Sequence, residues 1–177
     1  MTDDSLSGPL LPQQQQAAPK ARGPKKPRQS VMPAVQKEAG QGGREKTLNI
    51  IQDYVMQQTG NPKATAIHVN AIASLIQKKI ARPIQFGNTV FLATQKGPGV
   101  MDVHLYTEDS PKTLVHRFQQ AYQWAKTNGF TTITSTLTDA NMAQLVKMAG
   151  LPVSLKQTTI NDGKQMRPAY QMTIKVQ

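Results

Sequence analysis

Residues 131–151, TTITSTLTDANMAQLVKMAGL, leave the chain few ways to fold. The segment opens Thr-rich, with Ile133 and Leu137 on one face, the period of a strand. Asp139 stands where a helix N-cap belongs, and Gly150 where the helix should stop. An apolar Gly150-Leu151 step then leads into a further strand. A strand, a short capped helix and another strand, placed behind a long helix, call for an α/β arrangement.

The flanking sequence supplies the remaining elements. Residues 44–58 carry Leu48, Ile51, Val55 and Gln58 at helical spacing, with Ile50 and Tyr54 beside them. Gly60-Asn61-Pro62 ends that helix. A second helix is predicted from about Thr65 to Ala81, with Val69, Ile72, Ile76 and Ile80 on one side. Its Lys78, Lys79 and Arg82 complement a helix C-terminus, which explains them better than a ligand clamp does. Residues 88–94 and 100–107 read as a hairpin around Gln95-Lys96-Gly97-Pro98-Gly99. In its second strand Met101, Val103 and Leu105 alternate with Asp102, His104 and Tyr106. Residues 111–128 form the clearest helix, with Leu114, Phe118, Ala121, Tyr122 and Ala125 in one stripe and Gly129 as the stop. Trp124 and Tyr122 belong in or near the core. A last hairpin joins 153–160 to 168–176 through Asn161-Asp162-Gly163-Lys164. The predicted order is helix, helix, strand, strand, helix, strand, helix, strand, strand: an α/β (α+β) domain with a mixed sheet over 45–177.

Residues 1–44 differ in kind. They are rich in Gly, Pro, Gln and Ala, with a Gln13–Gln16 run and almost no apolar periodicity. Such a segment cannot bury enough apolar surface to offset its ordering entropy, so a long extended arm is expected. At ~3.3 Å per residue it could reach on the order of 150 Å. Lys20, Arg22, Lys25, Lys26 and Arg28 lie close together without an acidic neighbour. They are the candidate contacts to phosphates or to an acidic protein groove; a solvated linker is the simpler alternative. The arm holds no aromatic residue for base stacking.

The formal net charge is +11, which favours anionic partners without choosing among nucleic acid, acidic protein and anionic membrane. The excess is spread: residues 1–44 hold seven of the 21 Lys/Arg and three of the 10 Asp/Glu. Cysteine is absent, which excludes disulfides, thiolate metal sites and a cysteine nucleophile. No apolar run approaches the roughly 18–20 residues of a membrane span. MTDDSLSG lacks a basic start, so no secretory signal is expected. His68, His104 and His116 are the only histidines, and each reads as structural or surface. Lys96-Gly97-Pro98-Gly99 lacks the ending of a phosphate loop.

Over about residues 86–177 the element order, with the 131–151 segment at its centre, resembles the C-terminal half of the GNAT N-acetyltransferase fold. The resemblance implies an acetyl-CoA loop of the type Gln/Arg-x-x-Gly-x-Gly/Ala before the long helix. There, glycines and helix N-terminal N–H groups would hold a pyrophosphate. The matching residues, Tyr106-Thr107-Glu108-Asp109-Ser110-Pro111-Lys112-Thr113, contain no glycine. Glu108 and Asp109 would each oppose a phosphate charge by roughly 3–4 kcal/mol at ~4–6 Å and an effective dielectric of 20. Helix capping explains these carboxylates and Pro111 better. The resemblance also implies a general-acid Tyr in the short helix, where Val146 stands, and an Asn where Asp139 stands.

These departures lead to an expected non-catalytic structural or interaction module with no catalytic residues, metal or cofactor. It resembles the degenerate acetyltransferase-like domains among virion components of tailed bacteriophages. On that reading it would be a head, tail or internal protein, assembled in the host cytoplasm. The arm would dock on neighbouring virion subunits in a multi-subunit assembly, with nucleic acid nearby. The alternatives are an acetyl-CoA-dependent N-acetyltransferase with a divergent cofactor loop, and a basic nucleic-acid-binding accessory protein.

Overall fold

The computed structural model describes residues 41–161 and 165–177. The candidate contacts Lys20, Arg22, Lys25, Lys26 and Arg28 lie outside them, as does the last turn from residue 162. The elements are α1 (Gln41–Thr59), α2 (Pro62–Gln77), β1 (Ala81–Phe86), β2 (Thr89–Gly97), β3 (Val100–Thr107), α3 (Pro111–Thr127), β4 (Thr132–Leu137), α4 (Ala140–Met148), β5 (Val153–Asn161) and β6 (Met166–Lys175).

The strands form one sheet in the order β1-β2-β3-β4-β6-β5. β3 and β4 are parallel, joined through α3; the other neighbours are antiparallel. Helices cover both faces. Ile84, Phe91, Met101, Val103, Phe118, Ile133, Val146 and Met172 belong to the core beneath α3 and α4. Ile50, Ile51, Val55, Ile72, Val90, Leu92 and Tyr106 form the second core beneath α1 and α2. β2 therefore reads as a continuous apolar run, the pattern of a strand buried on both sides.

Local signals set the helix ends. Asn61 accepts N–H bonds from Lys63 and Ala64 at 3.0 and 3.2 Å. Asp139 accepts from the Asn141 N–H at 2.8 Å, and Gly150 follows α4 with φ 75°, as predicted from their residue types. The first helix starts at Gln41, three residues before the predicted Arg44.

One strand departs from the sequence reading. The predicted second helix runs into Ala81, but α2 ends at Gln77 and Ala81–Phe86 is a strand. Lys79 makes the break, with φ 57° in the left-handed region. Pro83 is tolerated because β1 is the outermost strand, where a missing N–H breaks no second ladder.

Candidate functional site: the opening between β3 and β4

β3 and β4 are hydrogen-bonded neighbours over only three pairs: Val100↔Thr132, Met101↔Ile133 and Asp102↔Thr134. Both strands continue beyond that point, to Thr107 and Leu137, while still laddered to β2 and β6. The sheet thus splits from Asp102 outward. Gly99 O accepts from the Thr131 and Thr132 N–H groups of the β4 side. Backbone groups alternate between the two edges of a strand, so Val103 and Leu105 turn theirs into the opening.

The two faces beside this opening differ in chemistry. On the α3/α4 side is a cavity of about 50 Å3, whose lining includes Leu105, Ser135, Leu137, Met142 and Leu151. Val146, at the position the resemblance reserves for a general acid, is 0 % exposed and part of this core. On the α1/α2 side, β3 presents Asp102, His104 and Tyr106 in a row, by the two-residue period of a strand. Asp102 marks the point of the split: its Oδ1 accepts from Thr134 Oγ1 at 2.9 Å, and its Oδ2 lies 3.8 Å from His104 Nε2. The His104 side chain is 55 % exposed. Tyr106 is buried, 8 % exposed, with its hydroxyl 3.3 Å from Nε2 of His68 on α2. Tyr54 of α1 meets the Tyr106 ring edge-on at 5.6 Å between centroids. Burial, and secondarily the neighbouring Tyr54, raise the Tyr106 phenol above its ordinary value of 10.0.

The loop leading to α3 also departs from expectation. Ser110, not a carboxylate, is the N-cap of α3, accepting from the Thr113 N–H at 3.4 Å. Asp109 is 11 % exposed and bonded elsewhere: Arg117 Nε donates to its Oδ2 at 2.9 Å, and Thr89 Oγ1 donates at 2.9 Å. The guanidinium lies against Gly87, where any Cβ would collide with it. Asp109 thus has a cationic partner, and Glu108 is the exposed carboxylate of this loop.

His68 and His104, read from sequence as structural or surface residues, both meet the row beside the opening. His68 lies 38 residues from Tyr106, and no local spacing signals their meeting. His116 is on the exposed outer face of α3. Among the described residues no group of three His, Asp or Glu could hold a metal, and no helix is long and apolar enough to cross a membrane.

Two solved structures share this architecture over most of their length. One is yncA from Salmonella typhimurium, solved with its cofactor acetyl-CoA: TM-score 0.51, 10 % identity, covering 76 % of this chain and 90 % of that one. The other is the ribosomal-protein-S18-alanine N-acetyltransferase of Escherichia coli: TM-score 0.50, 12 % identity, covering 73 % and 89 %. The chain has a GNAT-like fold. At such identity the likeness concerns the fold. No family model matches the sequence, and no curated protein matches it.

Proposed function

We propose that this chain is an N-acetyltransferase with a divergent cofactor loop, using acetyl-CoA as donor. The observation that carries the reading is the early end of the β3–β4 ladder. Backbone N–H and C=O groups inside a sheet are ordinarily paired, and leaving them open is costly unless something pairs with them. An extended arm bearing amides can bond to both open edges as a strand would. The arm of coenzyme A carries such amides. Val103 and Leu105 would hold it through their main chain, and Leu105, Leu137 and Met142 would surround its apolar part. Bound there, acetyl-CoA supplies an activated acetyl group.

The other roles fall to the chain's own residues. His104 can accept a proton from an incoming amine on the α1/α2 side, and the Asp102 side chain lies 3.8 Å from its ring. The Asp109–Arg117 pair keeps a carboxylate from facing the donor's phosphates unscreened. The test is thermal melting of the full chain with and without saturating acetyl-CoA. A melting temperature raised by several degrees supports the reading, and an unchanged one removes it.

A second reading is favoured by one observation, the fully buried Val146 in place of an acid. On it the GNAT-like domain is a non-catalytic interaction module, within a virion or another assembly, that docks through residues 1–44. Deleting residues 1–40 would then abolish co-assembly while leaving the melting temperature of the domain unchanged.

A further inference from the structure

We propose that the end of the sheet remote from the opening is a docking surface for an anionic membrane. The proposal goes beyond the transferase reading and does not depend on it.

Strand register gathers the charge at that end. β1 begins where β2 is ending, with Ala81 opposite Thr94. Gly97 of β2 pairs with Val100 of β3, Val100 with Thr132 of β4, and Thr132 with Lys175 of β6. β5 starts there too, with Val153 opposite Ile174. The same end therefore holds the α2–β1, β2–β3 and α4–β5 connections and the last turn of α3. Lys78 and Lys79 lie in the first connection, Lys96 adjoins the second and Lys147 the third. Lys126 is in the last turn of α3, and Lys175 ends β6. All of these lysines are exposed.

The described carboxylate side chains stand elsewhere. Glu108, Asp109 and Asp139 lie at the opposite end, beyond the split in the sheet. Glu45 and Asp53 are on α1, which meets the sheet towards that same end, through Thr47 to Gln85 and Tyr54 to Tyr106. Asp102 lies within β3, bonded to Thr134 and 3.8 Å from His104. Among the described residues, then, no carboxylate side chain offsets the lysine end.

Charge alone does not choose between polyanions. The neighbours of the lysines do. Ile80 follows Lys79 and is 56 % exposed; Met148 follows Lys147 and is 71 % exposed. Pro98, also exposed, stands two residues past Lys96. Three separate connections thus present a cation and an apolar group side by side. A nucleic-acid backbone offers phosphates to the lysines and nothing apolar to Ile80 or Met148. Trp124 and Phe130 at this end are buried, so neither ring serves as a stacking platform for bases. A membrane interface meets both needs: headgroup charge for the lysines, and the acyl boundary just below it for Ile80 and Met148. Lysine stems are long enough to keep their ammonium groups among the headgroups while the apolar tips go deeper. The opening between β3 and β4, at the far end of the sheet, stays accessible in this orientation.

The experiment measures binding of the full chain to phosphatidylcholine vesicles with and without phosphatidylserine, and to a DNA duplex. The chain should bind the vesicles that contain phosphatidylserine and not the others. Lys78→Gln, Lys96→Gln and Lys147→Gln together should weaken that binding by about 100-fold, at roughly fivefold per cation. Lys46→Gln, Lys63→Gln and Lys112→Gln together remove the same charge from other surfaces, and should weaken it by less than about threefold. The chain has no cysteine, so Met148→Cys and Ile67→Cys can each carry a single environment-sensitive dye. Ile67 is as exposed as Met148, but stands beside His68, which meets Tyr106 at the other end. The dye of Met148→Cys should shift to the blue on the anionic vesicles, and that of Ile67→Cys should not move. No binding to phosphatidylserine, or equal losses in the two triple variants, overturns the proposal. So does an unmoved Met148→Cys dye in a chain that binds; duplex binding lost in the first triple variant would then assign the surface to nucleic acid. The dye measurement decides the matter even if a triple variant fails to fold.

Discussion

The two halves of β3 make an instructive pair. Over Val100–Asp102 the strand is bonded on both edges, to β2 and to β4. Beyond Asp102 it keeps β2 and loses β4, although β4 runs on to Leu137. Both halves hold core residues, Met101 in the inner one and Val103 and Tyr106 in the outer one, so a loss of core packing does not explain the change. Only the backbone partner differs. The inner half behaves as scaffold, and the outer half leaves an edge open inside an otherwise complete sheet. His104 and Tyr106 both belong to the outer half.

Substitutions can break this comparison. Met101→Ala, in the bonded half and 2 % exposed, should cost about 2–5 kcal/mol in urea unfolding. A loss below 1 kcal/mol would mean the inner half is not the rigid one. Arg117→Ala strips Asp109 of its partner near the outer end, and should cost about 1–3 kcal/mol by the same measurement. Asp109→Asn in that background should recover part of the loss, because no buried charge is then left unpaired. Thr136→Ala, exposed on the open edge of β4, should change stability by under ~0.5 kcal/mol. A large loss there would mean the opening is held together by contacts of its own.

A pH series sharpens the same point. The folded phenol of Tyr106 lies above its unfolded value of 10.0. Its contribution to stability is therefore complete below pH 10. It is lost as pH rises from there through the folded value, because the unfolded chain releases that proton first. Alkaline unfolding of the unaltered chain should show this decline, and Tyr106→Phe should show less of it.

Much of the scaffold is legible in the sequence because it is written locally. The stripe of α3, the Asp139 cap and the Gly150 stop each act within a few residues. β1 is hidden for the opposite reason. Lys78 and Lys79 look like the basic end of a helix that includes Ile80, and Pro83 speaks against a strand until β1 is known to lie at the edge. Tyr106 alternates with core residues and so reads as outward-facing. It is buried because α1 and α2 cover that face as well, a tertiary fact no alternation encodes. The opening is least legible of all, since it is a missing ladder between strands separated by the whole of α3. Glu108 and Asp109 show both sides. Their position before a helix is correctly read, but the fate of Asp109 depends on Arg117 and on a glycine at 87 that leaves room for it.

Hydrogen exchange of the full chain, with and without saturating CoA, tests the central claim most directly. If the opening receives an amide-bearing arm, the backbone amides that face it, those of Val103, Leu105 and Thr136, gain protection on adding CoA. Those of 100–102, already bonded to β4, should change little. Unchanged exchange at Val103, Leu105 and Thr136 would contradict the account.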